Sequence, residues 1–333
     1  MYQALTCHSS LHHRSRYQAP SAIEFPQSVI LLANTLMLFH RQKLLLALLE
    51  ALGGNLLATD FQKYLFLYTK LCEKERSYDF VPYRFGCFSF QAAADKQKLI
   101  EKGYLKDVTG WEIANPDLNY SGALNKGAEK KLSLFTDRYG AIRGKRLIKY
   151  VYENYPYYAI NSEITEDHLD SEGQKKVDIA RPIRRRKPMF STIGYEGDSI
   201  EAYLNRLIEN DIRLLVDVRK NPISRKYGFS KRTLSSLLGK VGIAYTHIPE
   251  LGIQSSDRQE LNTQQDYDRL FNKYEKTVLK QQHGSLDKLL DLFNNNKRIA
   301  ITCYEKDPKQ CHRSRVAHAI ESMTKSEVIA QHI

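Results

Sequence analysis

The 333 residues predict an α/β protein in two parts: a mainly helical, winged-helix-like domain over residues 37–180 and a mostly parallel sheet domain over residues 189–333. Three observations carry this. From Met189 onward, apolar runs of strand length alternate with amphipathic runs, the pattern of βαβ units with right-handed crossovers. Before that, three helical runs precede a hairpin-like stretch. Between them RPIRRRKP, Arg181 to Pro188, reads as a basic linker with proline at both ends, suited to touching phosphate or simply solvated.

Residues 1–36 are expected to be disordered or to precede the true start. LHHRSR leads into VILLANTLMLF, a run of about eleven residues that is too short to span a bilayer. No small-x-small cleavage pattern follows it, and Met37 opens a natural helix beginning. From Phe39 to Leu52 apolar residues recur at helical spacing and stop at Gly53-Gly54. NLLATDFQKYLFLYTKLCEKE is a second helix, with Thr59 or Asp60 as N-cap. PYRFGCFSF reads as a loop or short strand, SFQAAADKQKLIEKG as a third helix ending at Gly103, and YLKDVTGWEI as a hairpin on a Thr-Gly turn. That order suggests a winged helix-turn-helix, with a small helical docking domain as the alternative. Residues 115–187 are polar and tyrosine-rich, and YVYENYPYYAI either packs or stacks on bases.

In the second part MFSTIGYEG, RLLVDVRKNP, IAYTHIP and KRIAITCYE are strands, and EVIAQHI closes as another. SIEAYLNRLIENDI, SKRTLSSLLGKVG, QDYDRLFNKYEKTVLKQQ, SLDKLLDLFNNN and CHRSRVAHAIESM are helices. Ligands of such sheets bind beyond the carboxyl ends of the strands. The unusual polar residues fall there: Tyr195 and Glu196; Asp217, Arg219, Ser224, Arg225 and Lys231; His247 and Glu250; Glu305, Cys311, His312 and Arg313.

In order and spacing, TIGYEG, LLVDVRKNPISR, GFSK, YTHIPELG and CYEKDPKQCHRSR resemble the signature of domain-of-unknown-function family 488, over about Phe190 to Met323. The resemblance implies a Rossmann-like α/β domain with polar residues at one sheet edge, and settings of DNA metabolism or genome defence. It implies no reaction. It places Glu196, Asp217, Arg219, Ser224, Arg225, His247, Cys311, His312 and Arg313 at motif positions. The portion from Leu38 to Ile113 also resembles the winged-helix-like domains of toxin–antitoxin and phage-related proteins.

With 50 Lys and Arg against 38 Asp and Glu, the net charge is +12, which favours a polyanionic partner, DNA before RNA, and no membrane. Five scattered cysteines form no disulfide framework and suit a reducing cytoplasm. No Walker loop, dinucleotide fingerprint, zinc-finger spacing or triad motif is present.

Cys303 lies in an apolar run and reads as a core thiol. Cys311 falls at a helix start, beside His312, Arg313 and Arg315, where the macrodipole favours a thiolate. The Cys-x5-Arg phosphatase loop is absent. Cys303, Cys311, His312 and His247 could together ligate a metal, but there is no CxxC or HxH pair and adjacent Cys-His seldom shares an ion, so no cofactor is assigned and a metal is not favoured. Anion binding is preferred, with Arg219, Arg225, Lys231 and Arg313 on phosphate and Tyr195, Ser224, Glu250 and Glu305 around it. The expected function is a hydrolytic or base-processing step on DNA or a nucleotide. Glu196 or Asp217 activates water in that scheme, and His247 or His312 carries a proton. The rivals are a regulator that senses a phosphorylated ligand without turnover, and a thiol- or sulfur-handling protein using Cys311.

Overall fold

A computed structural model describes residues 37–258 and 261–333; the expectation for residues 1–36 lies outside the described residues. In the first part α1 (His40–Ala51) is buried on nearly every side from Leu44 to Leu49, as a central helix must be. Around it pack α2 (Ala58–Cys72), α3 (Phe90–Glu101), α4 (Lys126–Tyr139), α5 (Gly144–Asn154) and α6 (Ser171–Ala180). β1 (Asn55–Leu56) pairs antiparallel with β4 (Trp111–Glu112), and Phe61 stacks on Trp111.

Three sequence expectations shift here. α2 starts at Ala58 with Leu57 as its N-cap, so Thr59 and Asp60 lie inside its first turn and do not cap it. PYRFGCFSF is a true hairpin, β2 (Val81–Tyr83) and β3 (Gly86–Phe88), turning through Gly86 at φ +97°. The expected hairpin in YLKDVTGWEI is reduced to a single bridge, Leu105 to Ile113, because Trp111 and Glu112 pair with β1. The tyrosines of YVYENYPYYAI go to packing: Phe66 meets Tyr155 and Tyr158 ring to ring, and Tyr152 is fully buried.

The second part is a five-stranded, all-parallel sheet of β5 (Met189–Gly194), β6 (Leu214–Asp217), β7 (Ala244–His247), β8 (Arg298–Cys303) and β9 (Gln331–His332), in the order β7-β6-β8-β5-β9. Alternate side chains feed opposite faces. Ile193, Leu215 and Ala300 pack under α7 (Ile200–Glu209) and α8 (Lys231–Lys240). Phe190, Val216, Ile299 and Ile301 pack under α9 (Gln264–Tyr274), α10 (His283–Asn296) and α11 (His312–Met323). Covering both faces explains why these strands read as continuous apolar runs.

The two parts join along α7. Ser199 Oγ donates to Asp79, Asn205 Nδ2 donates to the Phe80 carbonyl, and Val81 and Phe90 enter the core beneath α7 and α8. Glu201, fully buried, accepts on one oxygen from Gln91 N (2.8 Å) and Ser89 Oγ (3.2 Å). Its other oxygen has no partner among the described residues, and burial pushes its carboxyl up to about 7. The basic linker crosses the amino-terminal edge of the sheet. Buried Arg298 donates there to the carbonyls of Lys187, Asn210 and Asp211, while Arg184, Arg185 and Arg186 stay exposed.

Candidate functional site at the carboxyl edge of the sheet

Parallel register brings the strand ends side by side: Gly194 beside Cys303, Thr302 beside Asp217, and Asp217 beside His247. Beyond them opens a cleft of about 320 Å³, lined by Tyr195, Arg219, Lys220, Asn221, Ile223, Ser224, Arg225, Ile253, Arg258, Cys303, Tyr304 and His312.

One wall is a buried ion pair. Asp217 is fully buried, and its oxygens take Nε (2.9 Å) and Nη2 (2.6 Å) of Arg219, the Arg219 backbone N–H (3.0 Å) and the Tyr245 hydroxyl (2.8 Å). Arg219 Nη1 donates to Tyr195 Oη (2.8 Å) and to the Phe229 carbonyl (2.9 Å), and the Tyr195 ring stacks on Phe229 at 4.2 Å. Asp217 therefore orients Arg219, and Arg219 orients Tyr195. His247 supports the same segment from behind: Lys231 Nζ donates to Nδ1, and Nε2–H donates to the Arg219 carbonyl.

The floor holds two thiols and an imidazole. His312 Nε2 donates to the Val218 carbonyl (2.9 Å), while Nδ1 receives Arg258 Nη2 (2.7 Å) and lies 3.5 Å from Cys303 Sγ. In the neutral ring these partners assign the Nε2–H tautomer. Arg258 also bridges to Glu305, whose Oε2 lies 3.4 Å from Cys303 Sγ. Burial works against a thiolate at Cys303, yet the Cys311 thiol, His312 and Arg258 outweigh it and hold Cys303 well below the usual thiol range. Cys311 moves the other way, pushed well up by its own burial and by the neighbouring Cys303 sulfur. Burial, with the Cys303 charge, also raises the Glu305 carboxyl.

Of the residues expected on phosphate, Tyr195, Arg219, Ser224 and Arg225 line the cleft. Lys231 is held by His247, Glu250 lines a neighbouring cavity, and Glu305 lies behind Arg258. Buried Arg313 donates to Thr192 Oγ1 and to the carbonyls of Glu305 and Lys306, so it braces the loop after β8. Of the expected catalytic residues His312 lines the cleft. Asp217 and His247 stand behind it, Glu196 accepts from the Lys306 N–H, and Cys311 sits behind Cys303. The sequence assigns no role to Lys220, Asn221 or Arg258, and reads Cys303 only as a core thiol or a candidate metal ligand. Lys220 and Asn221 directly follow the DVR motif and were legible there; Arg258 stands in the polar run QSSDRQE, with no spacing to mark it.

Two glycines permit the loops to close. A Cβ at Gly194 would lie 1.9 Å from the Glu305 carbonyl oxygen, and one at Gly252 would lie 2.2 Å from Lys220 N. Gly252→Ala is expected to push the loop after β7 off Lys220. The measured result should be weaker ligand binding at the cleft, with unfolding free energy lowered by roughly 1–3 kcal/mol.

The comparison with known families falls on this domain. Residues 199–320 match the family described as Domain of unknown function DUF488. No curated protein and no solved structure matches the chain significantly. The DUF488 match takes in Asp217, Arg219, Arg258, Cys303, Cys311 and His312, and it begins after β5, so Tyr195 and Glu196 precede it. The first part, residues 37–180, lies outside the match. Among the described residues no helix is long and apolar enough to cross a membrane.

Proposed function

We propose that the chain is an enzyme of nucleic-acid or nucleotide chemistry, acting on one nucleotide at a time in the DUF488 cleft. The observation that supports this most is the arrangement of charge around that cleft. Lys220, Arg225 and Arg258 stand round a polar Cys303–His312 floor, and Arg225 makes no ion pair among the described residues. Such a rim suits phosphate. Half-exposed Tyr304 offers a ring edge or face to a base. A cleft of about 320 Å³ fits a mononucleotide, so a nucleic acid would present a single-stranded or extruded residue. The step is hydrolytic or base-processing, and the reacting group faces Cys303 and His312. Asp217 and Glu196 do not activate water in this scheme, because Asp217 is saturated by Arg219 and Tyr245, and Glu196 is bonded to Lys306 outside the cleft.

Reading of base edges by α3 is not favoured. A helix-turn-helix turns the first residues of its second helix to the major groove. Here that end of α3 is covered by Glu201 of α7, which accepts from Ser89 and Gln91.

The test is fluorescence anisotropy of labelled single-stranded DNA and RNA across a salt series. Lys220→Glu/Arg225→Glu is expected to weaken binding roughly tenfold or more and to flatten the log–log salt slope by about 1.4, the loss of two phosphate contacts. Unchanged affinity and slope in that variant would remove the cleft from nucleic-acid binding.

A further inference from the structure

The floor of the cleft has the make-up of a thiophilic metal site, and we propose that Cys303, Cys311 and His312 bind one Zn²⁺ with its fourth position open to the cleft. The ligand atoms of these three buried residues lie within 4.8 Å of one another. The Cys303 Sγ to His312 Nδ1 separation is 3.5 Å. Sulfur at about 2.3 Å and nitrogen at about 2.0 Å from a tetrahedral zinc would stand about 3.5 Å apart.

The imidazole is also prepared for the role. Its Nε2–H is committed to the Val218 carbonyl, as the outer nitrogen of a metal-ligating histidine commonly is, and this directs the Nδ1 lone pair toward the thiols. The group that meets that lone pair is a cation, Arg258 Nη2, which also lies 3.9 Å from Cys303 Sγ. Arg258 already pairs with Glu305, and can rest on it when Nδ1 turns to a metal.

Sequence spacing argued against a shared ion because Cys311 and His312 are adjacent. The backbone resolves this: Cys311 is extended (φ −131°, ψ 135°) at the N-cap and His312 is the first residue of α11, so the two side chains converge on Cys303 across the turn. Two sulfurs and one nitrogen select zinc over magnesium or calcium. Cys303 and His312 line the cleft while Cys311 does not, so the fourth position faces the ligand space and takes water or a substrate heteroatom. The metal itself stands independently of the nucleotide reading; what meets the fourth position rests on it.

The experiment uses full-length protein, reconstituted with zinc and desalted. Mass spectrometry of the elements should find about one zinc per chain. Cobalt replacing it should give thiolate-to-cobalt charge-transfer absorption and the intense visible bands of tetrahedral Co²⁺. Cys303→Ser, Cys311→Ser and His312→Ala should each weaken zinc, measured against a chelator, by roughly tenfold or more. The cobalt spectrum of the unaltered protein needs no variant to fold. Substoichiometric zinc after reconstitution, cobalt without the charge-transfer band, or zinc affinity indifferent to all three substitutions would each overturn the inference. Oligonucleotide binding is read on the same samples. Zinc bound with no oligonucleotide binding contradicts the nucleotide reading alone, and oligonucleotide binding without zinc contradicts this one alone.

Discussion

Asp217→Ala is expected to lower the unfolding free energy by about 3–5 kcal/mol, the cost of leaving a buried charge unpaired. Asp217 is fully buried, and Arg219, whose guanidinium it holds at two points, is nearly so. Without the carboxylate, Arg219 keeps Tyr195 and the Phe229 carbonyl but no counter-charge, and the Tyr245 hydroxyl loses its acceptor. For a domain whose total stability is of the order of 5–15 kcal/mol, this is a large fraction. Urea unfolding followed by circular dichroism measures it. The double substitution Asp217→Leu/Arg219→Met should recover most of the loss, because no unpaired charge remains. Asp217→Ala with unaltered stability and abolished turnover would contradict this reading and return Asp217 to a direct chemical role.

Glu201→Gln is expected to change how stability depends on pH. The folded carboxyl titrates at about 7, against an ordinary value of 4.5, because burial between α3 and α7 disfavours its charge and nearby Asp79 adds repulsion. The folded state therefore holds a proton that the unfolded chain has released. The stabilisation is complete below about pH 4.5 and is lost progressively as pH rises through about 7. Over that window the shift corresponds to about 3 kcal/mol. Glu201→Gln, neutral at every pH, should lack this component and be the more stable protein at pH 8. Urea midpoints of both proteins from pH 4.5 to 8 isolate the difference, since every other group titrates in both. Parallel curves would mean that Glu201 stays charged in the folded protein.

Much of this was legible in the sequence. The five apolar runs from Met189 onward are the five parallel strands, and the cleft lies at their carboxyl ends, where ligands of such sheets bind. Less legible was which polar residues face it. Asp217 and Arg219 stand two apart at a strand exit, a spacing that suits a solvated pair as well as a buried one; only the Phe229 and Tyr245 neighbourhood settles the matter. Cys303 reads as core because β8 is covered on both faces, yet as the last residue of that strand it emerges at the edge. Cys311 looks reactive at a helix start but lies one layer deeper. Arg258 reaches Cys303 and Glu305 across more than forty positions of chain, a contact that local pattern does not encode.

The central claim, that the cleft beyond β5, β6 and β8 is where the nucleotide sits, is tested most directly by crosslinking. Short oligonucleotides carrying a photoreactive thio-base would be irradiated with full-length protein, digested and mapped by mass spectrometry. The account predicts crosslinks in the peptides bearing Lys220–Arg225 and Tyr304, lost in Lys220→Glu/Arg225→Glu. Crosslinks confined to residues 37–180 or to the Arg184–Arg186 linker, unaffected by that variant, would contradict it.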